Sequence, residues 1–175
     1  MRRPRARGVR EYDQGMLRDP SLHPLSHQHQ HGLALCVIIR RTLDEDASPA
    51  TMQDLASKVK AAWEIELEAH FSVEEQILFP AVKGRIDEPE LVDQLIAEHR
   101  EIEARIRDLL AEPDELRLRG LATLLNDHIR AEERRLFEQI QEHLNPEELA
   151  ALGRRLDARI AKVCPVSAGL PWEAP

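Results

Sequence analysis

The sequence contains few aromatic residues, little cysteine and no long apolar run. Aromatic residues make up 3% of the 175 residues, which argues against an all-β domain in a chain otherwise rich in Leu, Ala, Glu and Arg. Two cysteines, Cys36 and Cys164, are too few for a disulfide framework and favour a reducing, cytoplasmic location. The longest apolar run, residues 33–39, is far shorter than the roughly 20 residues of a membrane-spanning helix. We therefore predict no membrane association.

Acidic residues outnumber basic residues in the chain, although the first ten residues are basic. The chain carries 24 Lys and Arg against 32 Asp and Glu, a net charge of −8, which argues against nucleic-acid binding. Five arginines lie in residues 1–10 without an acidic residue or a following apolar segment. Residues 1–21 are therefore predicted to form a basic, disordered tail rather than an export signal.

Prolines divide the rest of the chain into five predicted helices. Pro49, Pro89, Pro113 and Pro146 each stand where a helix should begin, because proline is favoured at the first helical position. Gly84 is placed where a C-terminal cap is expected. The predicted helices span residues 26–44, 49–83, 89–111, 113–144 and 146–163.

The fold class predicted from this pattern is all-α. Residues 22–144 should form an antiparallel up-down-up-down four-helix bundle, because the links between the helices are short. Residues 145–163 should form an appended helix, and residues 164–175 a Pro-rich tail.

Five polar residues fall on the helix faces that should be buried: His70, Glu74, His99, His128 and Glu132. Burial of such groups is costly unless they are paired or bind a metal ion. His70 and Glu74, like His128 and Glu132, are one helical turn apart on the same face.

An internal repeat strengthens the case for a metal site. Residues 70–79 and 128–137 both read H-x3-E-E-x2-L-F and lie on alternate helices of the predicted bundle. Counting residues from each turn places both copies and His99 at a similar depth. All five side chains can therefore converge in one layer.

The first helix should complete the layer with either His29 or His31, which periodicity cannot separate. Imidazole and carboxylate suit iron, manganese or zinc, and two carboxylates flanked by four histidines indicate a two-metal site. The Glu-x-x-His pattern of ferritin-like bundles is absent, because Leu67, Ile96 and Leu125 stand three residues before the three bundle histidines.

These residues resemble the hemerythrin-like, HHE cation-binding family in its bacterial form. The resemblance covers residues 22–144 and includes E-E-x2-L-F followed by Pro80. It implies two iron ions, bridged by the carboxylates and by an oxo or hydroxo group. It also favours His29, which follows Gln28, over His31. Glu103 is either a further ligand or a residue at the surface or beside the ligands, and we favour one of the latter two roles.

The resemblance implies a protein that binds or senses oxygen, nitric oxide or peroxide, rather than an enzyme. The alternatives are iron-sulfur centre repair or reduction of nitric oxide or peroxide, and iron storage. The ligand would be a small diatomic molecule or peroxide. The sequence leaves the oligomeric state open.

Overall fold

The computed structural model describes residues 17–163, and every regular element in this part of the chain is helical. A short 3-10 turn, Pro20–Leu22, leads into α1, His23–Glu45. Helix α2 covers residues 49–82, α3 is Pro89–Ala111, α4 covers residues 115–143, and α5 is Pro146–Val163. The all-α prediction is confirmed. Residues 1–16 of the predicted N-terminal tail, 1–21, and the predicted tail 164–175 lie outside the described residues. Residues 17–21 of the first tail are described, and Pro20 and Ser21 belong to the 3-10 turn instead of a disordered tail.

Side-chain caps begin three of the helices. The Ser48 hydroxyl accepts from the Thr51 N–H at 3.3 Å, and the Asn145 side chain accepts from the N–H groups of Glu147 and Glu148, both at 3.0 Å. The fourth helix begins at Glu115, so Pro113 is not its first residue as predicted. Asp114 has extended backbone geometry and its side chain accepts from the backbone of the first turn, which makes Asp114 the N-cap.

Two smaller predictions about helix ends are also corrected. The first helix begins at His23, three residues earlier than expected, with Pro24 in its first turn. Gly84 does not form a left-handed cap, because no glycine among residues 17–163 has a positive φ. The end of α2 is closed instead by a tight turn, in which the Arg85 N–H donates to the Val82 carbonyl at 2.8 Å.

Each copy of the repeat contains one π turn. The π segments Glu74–Leu78 and Glu132–Leu136 each begin at the first Glu of the E-E pair. The N–H of the following Phe donates to the carbonyl of that Glu, five residues earlier. This wider turn places His, Glu and Phe of each repeat on one buried face, and π turns of this kind are frequent at functional sites.

Each of the four bundle helices contributes residues to two apolar clusters, one towards each end of the bundle. A polar layer lies between the two clusters. One cluster contains the later part of α1, the early part of α2, the later part of α3 and the early part of α4. The other contains the opposite end of each helix together with α5. This alternation follows from the antiparallel arrangement, and it places residues 29, 70–74, 99 and 128–132 at the same level.

Helix α5 packs at the end of the bundle where the chain enters α1. Leu149, Leu152 and Leu156 are buried in the second cluster. Gly153 lies so close to the 3-10 turn that an added Cβ would be 2.7 Å from the Ser21 Cβ and 2.9 Å from its Cα. In residues 17–163 no helix is long and apolar enough to cross a membrane.

Candidate metal centre

The structure brings six predicted site residues into one buried layer. Each is at most 3% exposed: His29, His70, Glu74, His99, His128 and Glu132. They form two four-residue groups in which the nitrogen and oxygen atoms offered by the side chains lie within 4.8 Å of one another. Histidines 29 and 70 belong to one group and histidines 99 and 128 to the other, whereas both glutamates belong to both. This arrangement suits two metal ions that share two carboxylates.

The Nε2 atoms of all four histidines face these two carboxylates. Glu74 has one oxygen 3.2 Å from His70 Nε2 and the other 3.3 Å from His99 Nε2. Glu132 Oε2 lies 3.1 Å from His29 Nε2 and 3.5 Å from His128 Nε2. Each carboxylate therefore reaches a histidine of both groups, as a bridging ligand must.

The other ring nitrogen, Nδ1, of every histidine contacts an oxygen outside the layer. His29 pairs with Glu133 at 2.6 Å, His70 with Gln28 at 2.8 Å, and His99 and His128 with Glu75 and Glu98, both at 2.9 Å. Carboxylate and amide oxygens accept hydrogen bonds, so Nδ1 donates to them. In the neutral imidazole the lone pair then lies on Nε2, where a metal ion would bind.

The inner atoms of the layer fit a metal ion better than a network of protein hydrogen bonds. Both oxygens of Glu74 and of Glu132 are buried without a hydrogen-bond partner among residues 17–163, as are the Nε2 atoms of three histidines, His29, His99 and His128. Unsatisfied buried polar atoms are costly. Metal cations would satisfy these lone pairs, and nitrogen with carboxylate oxygen is a donor set for iron, manganese or zinc.

Charged neighbours in the layer shift the pKa values of His29 and Glu74. Burial lowers the pKa of His29, but the carboxylates of Glu132, Glu133 and Glu74 beside its ring outweigh burial and hold that pKa well above its ordinary value. Burial raises the pKa of Glu74, but the neighbouring histidines hold it well below its ordinary value. Glu74 is therefore ionised, as a bridging carboxylate must be, while a proton and a metal ion compete for His29.

Aromatic rings stack on two of the histidines, and each copy of the repeat contributes an equivalent phenylalanine. Phe137, which ends the second repeat, stacks on His29 with ring centroids 5.5 Å apart. Phe79, which ends the first repeat, stacks on His99 at 5.6 Å. Phe71 packs on His99 more closely, at 3.8 Å and an interplanar angle of 11°. These stacked rings restrict the planes of two imidazoles, His29 and His99.

Sequence reasoning missed most of the partners of Nδ1. Glu75 and Glu133 are the second Glu of the two E-E pairs, so the repeat itself held a signal for them. Each binds a histidine of another helix, His99 or His29 respectively. Glu98 had no such signal, because its link to His128 depends on how α3 packs against α4.

The two alternative site residues, His31 and Glu103, lie outside both groups. His31 is about one-third exposed, and its Nδ1 is 3.0 Å from a Glu66 oxygen. Glu103 is exposed and lies 3.5 Å from Arg107. A surface cleft of about 280 Å³ lies beside the layer, with Glu103 on its rim. His99, Phe71, Trp63 and Arg100 are among its lining residues.

Comparisons with known proteins agree with this geometry. A family model described as the hemerythrin HHE cation binding domain matches residues 21–140. A curated protein named "DNA nickase" from Nostoc sp. (strain PCC 7120) is 28% identical over 131 residues, which cover 72% of this chain and 36% of the relative. The chain thus corresponds to little more than a third of that relative's length. No solved structure matches the chain significantly.

Proposed function

The chain belongs to the hemerythrin HHE cation-binding family, and on that premise we propose that it is a non-haem di-iron protein that binds or senses a small ligand. The ligand would be oxygen, nitric oxide or peroxide. The observation that carries the proposal is the pair of overlapping four-residue groups, in which the four carboxylate oxygens and three of the four Nε2 atoms are buried without a hydrogen-bond partner among residues 17–163.

The donor set suits iron, among other metals, and leaves room for an external ligand. Two six-coordinate ions need 12 bonds; four histidines and two bridging carboxylates supply 8, and a bridging oxygen supplies 2. About two positions remain for a ligand under this coordination pattern. When bound, the ions would supply redox chemistry and open coordination positions, while the protein orients the imidazoles and excludes water.

The surface cleft beside His99 supports access by a small molecule. His99, a member of the buried layer, is among its lining residues, and so is Phe71, whose ring stacks on that imidazole. A diatomic molecule or peroxide needs only a small displacement of Phe71 to pass. A larger substrate would require the helices to separate, because the six inner residues are at most 3% exposed.

The alternatives are an enzymatic role, either iron-sulfur centre repair or reduction of nitric oxide or peroxide, and iron storage. Iron storage is disfavoured because the described acidic residues near the layer contact the Nδ1 atoms of the histidines and do not line a cavity for a mineral. DNA nicking appears only in the name of a relative, and the match covers 36% of that relative's length. Given the net charge of −8, we propose that the protein has no nucleic-acid partner. We also propose a cytoplasmic location.

Metal analysis and optical spectroscopy of the purified protein test the proposal. We expect about two iron ions per chain after anaerobic loading with Fe²⁺, and spectral changes on adding oxygen, nitric oxide or peroxide. A binding or sensing protein should give reversible or stoichiometric changes, whereas an enzyme should consume peroxide or nitric oxide over many turnovers. Purification with zinc alone, together with failure to load two iron ions, would contradict the di-iron proposal.

Variants of single ligands provide the matched test. His70→Ala and Glu132→Ala should each lower the metal content, whereas Glu103→Ala should keep it, because Glu103 is exposed and outside both groups. If both ligand variants retained the wild-type metal content, the assignment of these residues would be wrong.

A further inference from the structure

The oxygen partners of the four histidines are not equally constrained. Glu133 has both carboxylate oxygens engaged. Its Oε1 contacts His29 Nδ1 at 2.6 Å and accepts from the Ser26 hydroxyl at 2.7 Å. Its Oε2 accepts from the Arg18 guanidinium at 2.9 Å. The carboxylate that orients His29 is therefore itself held from two sides.

Arg18 contacts both groups that fix the His29 ring. One guanidinium nitrogen, Nη2, donates to the Glu133 carboxylate and also to the Glu133 backbone carbonyl, at 2.6 Å. The guanidinium carbon lies 5.0 Å from the centre of the Phe137 ring, whose other neighbour is the His29 ring. Arg18 therefore lies over the Phe137 ring, which in turn stacks on the His29 ring. Arg18 is also paired with the Glu133 carboxylate that contacts His29.

In the other half of the layer, the position that corresponds to Glu133 in the repeat has no such cation among residues 17–163. Glu75 is the counterpart of Glu133 and contacts His99 Nδ1, but no Arg or Lys from residues 17–163 forms an ion pair with it. Its side chain is 35% exposed, compared with 20% for Glu133. The repeat therefore supplies equivalent carboxylates, and the segment before α1 makes them different.

This segment is anchored independently of the metal layer. The Gln141 side chain accepts from Arg18 at 3.2 Å and from the Asp19 N–H at 2.9 Å. Asp19 caps the 3-10 turn through Ser21, and Ser21 packs against Gly153 of α5. Arg18 itself lies before the residues that match the family model, 21–140.

We propose that Arg18 is a positioning residue for the metal position formed by His29 and His70, and that it raises the affinity of that position selectively. Without Arg18, the partly exposed Glu133 carboxylate is held on the Oε1 side alone, by Ser26 and His29, and the acceptor that aims His29 Nε2 into the layer is less firmly fixed. Removal of such an outer partner typically lowers metal affinity about 10- to 100-fold. The inference rests on the proposed binuclear site.

The test is an anaerobic titration of metal-free protein with Fe²⁺ against a competing chelator. Arg18→Ala should bind one of the two ions about 10- to 100-fold more weakly and the other with wild-type affinity. Arg18→Lys keeps a charge but not the two-sided contact of the guanidinium, so we expect a smaller loss. If Arg18→Ala folds poorly, Arg18→Lys and Glu133→Gln carry the test.

Two control variants separate positioning from general stability. Arg134→Ala removes an arginine that lines the same surface pocket as Arg18 but forms no hydrogen bond or ion pair with residues 17–163. Asp114→Ala removes the cap of α4, far from the metal layer, and lowers stability alone. Both should keep the wild-type affinity for both ions. In a His29→Ala background, Arg18→Ala should cause no further loss of affinity.

The outcomes are distinct. Failure of the wild-type protein to bind two ions would refute the proposed function and the inference with it. Two ions in the wild type, with equal weakening of both in Arg18→Ala or no weakening of either, would overturn the inference alone. Additional loss on combining Arg18→Ala with His29→Ala would also overturn it.

Discussion

Substitution of Glu132 by Gln tests the central feature of the metal layer. Glu132 is fully buried, belongs to both four-residue groups, and has neither oxygen hydrogen-bonded to residues 17–163. Gln preserves the shape, but it replaces one metal-facing oxygen with an NH₂ group and removes a negative charge. Because both ion positions share Glu132, the affinity of both should fall. Loss of an outer partner alone costs about 10- to 100-fold, so we take roughly 100-fold as the loss for each ion.

The magnitude follows from the linkage between binding and folding. At free metal about 1,000 times the dissociation constant, each bound ion raises the free energy of unfolding by about 4.1 kcal/mol; a 100-fold loss of affinity leaves about 1.4 kcal/mol. For two ions, at roughly 3 °C per kcal/mol for a chain of this size, the metal-induced rise in melting temperature falls from roughly 25 °C to roughly 8 °C.

The assay is thermal unfolding followed by circular dichroism, with Fe²⁺ under anaerobic conditions and with chelator. Glu103→Gln is the matched control, because Glu103 is exposed and outside both groups, and it should retain the full metal-induced rise. The reasoning fails if Glu132→Gln keeps the wild-type rise, or if the wild-type protein shows no rise at all.

Two further predictions concern glycine packing and the buried thiol. Gly153→Ala should lower stability by about 1–3 kcal/mol, since its Cβ would overlap Ser21. Gly120→Ala, which meets only an arginine tip at 3.2 Å, should raise stability by up to about 1 kcal/mol; equal melting temperatures would refute this contrast. Burial raises the pKa of Cys36 to about 12, so in a Cys164→Ser background the thiol should react with iodoacetamide at pH 8 only after unfolding. Stability should fall between about pH 9 and 12, because deprotonation then favours the unfolded chain; rapid labelling of folded protein would contradict this.

The helices could be predicted because their signals are local. Prolines at helix starts and apolar residues three and four apart gave α3 and α5 with the bounds that the structure has, Pro89–Ala111 and Pro146–Val163. The start of α4 was misjudged because both Pro113 and Asp114 are good starting residues. Which of them caps the helix depends on the backbone of residue 114, which is extended.

Five of the six residues of the layer, all except His29, were predictable for a related reason. A repeat of H-x3-E-E on alternate antiparallel helices places its members at equal depth whatever the details of packing. The choice between His29 and His31 was different. They are two residues apart on a helix and point to nearly opposite sides, so only the packing of α1 decides which one enters the layer. The resemblance to a family favoured His29, and the structure places it there; that these residues bind metal stays a prediction.

Periodicity and the chain length between turns were enough to predict the helices, their antiparallel order and the depth of the polar layer, apart from the starts of α1 and α4. Tertiary structure alone decided which oxygen each Nδ1 meets, because Gln28, Glu75, Glu98 and Glu133 reach histidines on other helices. It also decided that the two halves of a repeated motif differ. Arg18 is more than 100 positions from Glu133 along the chain, and no periodicity links residues that meet only when the bundle closes.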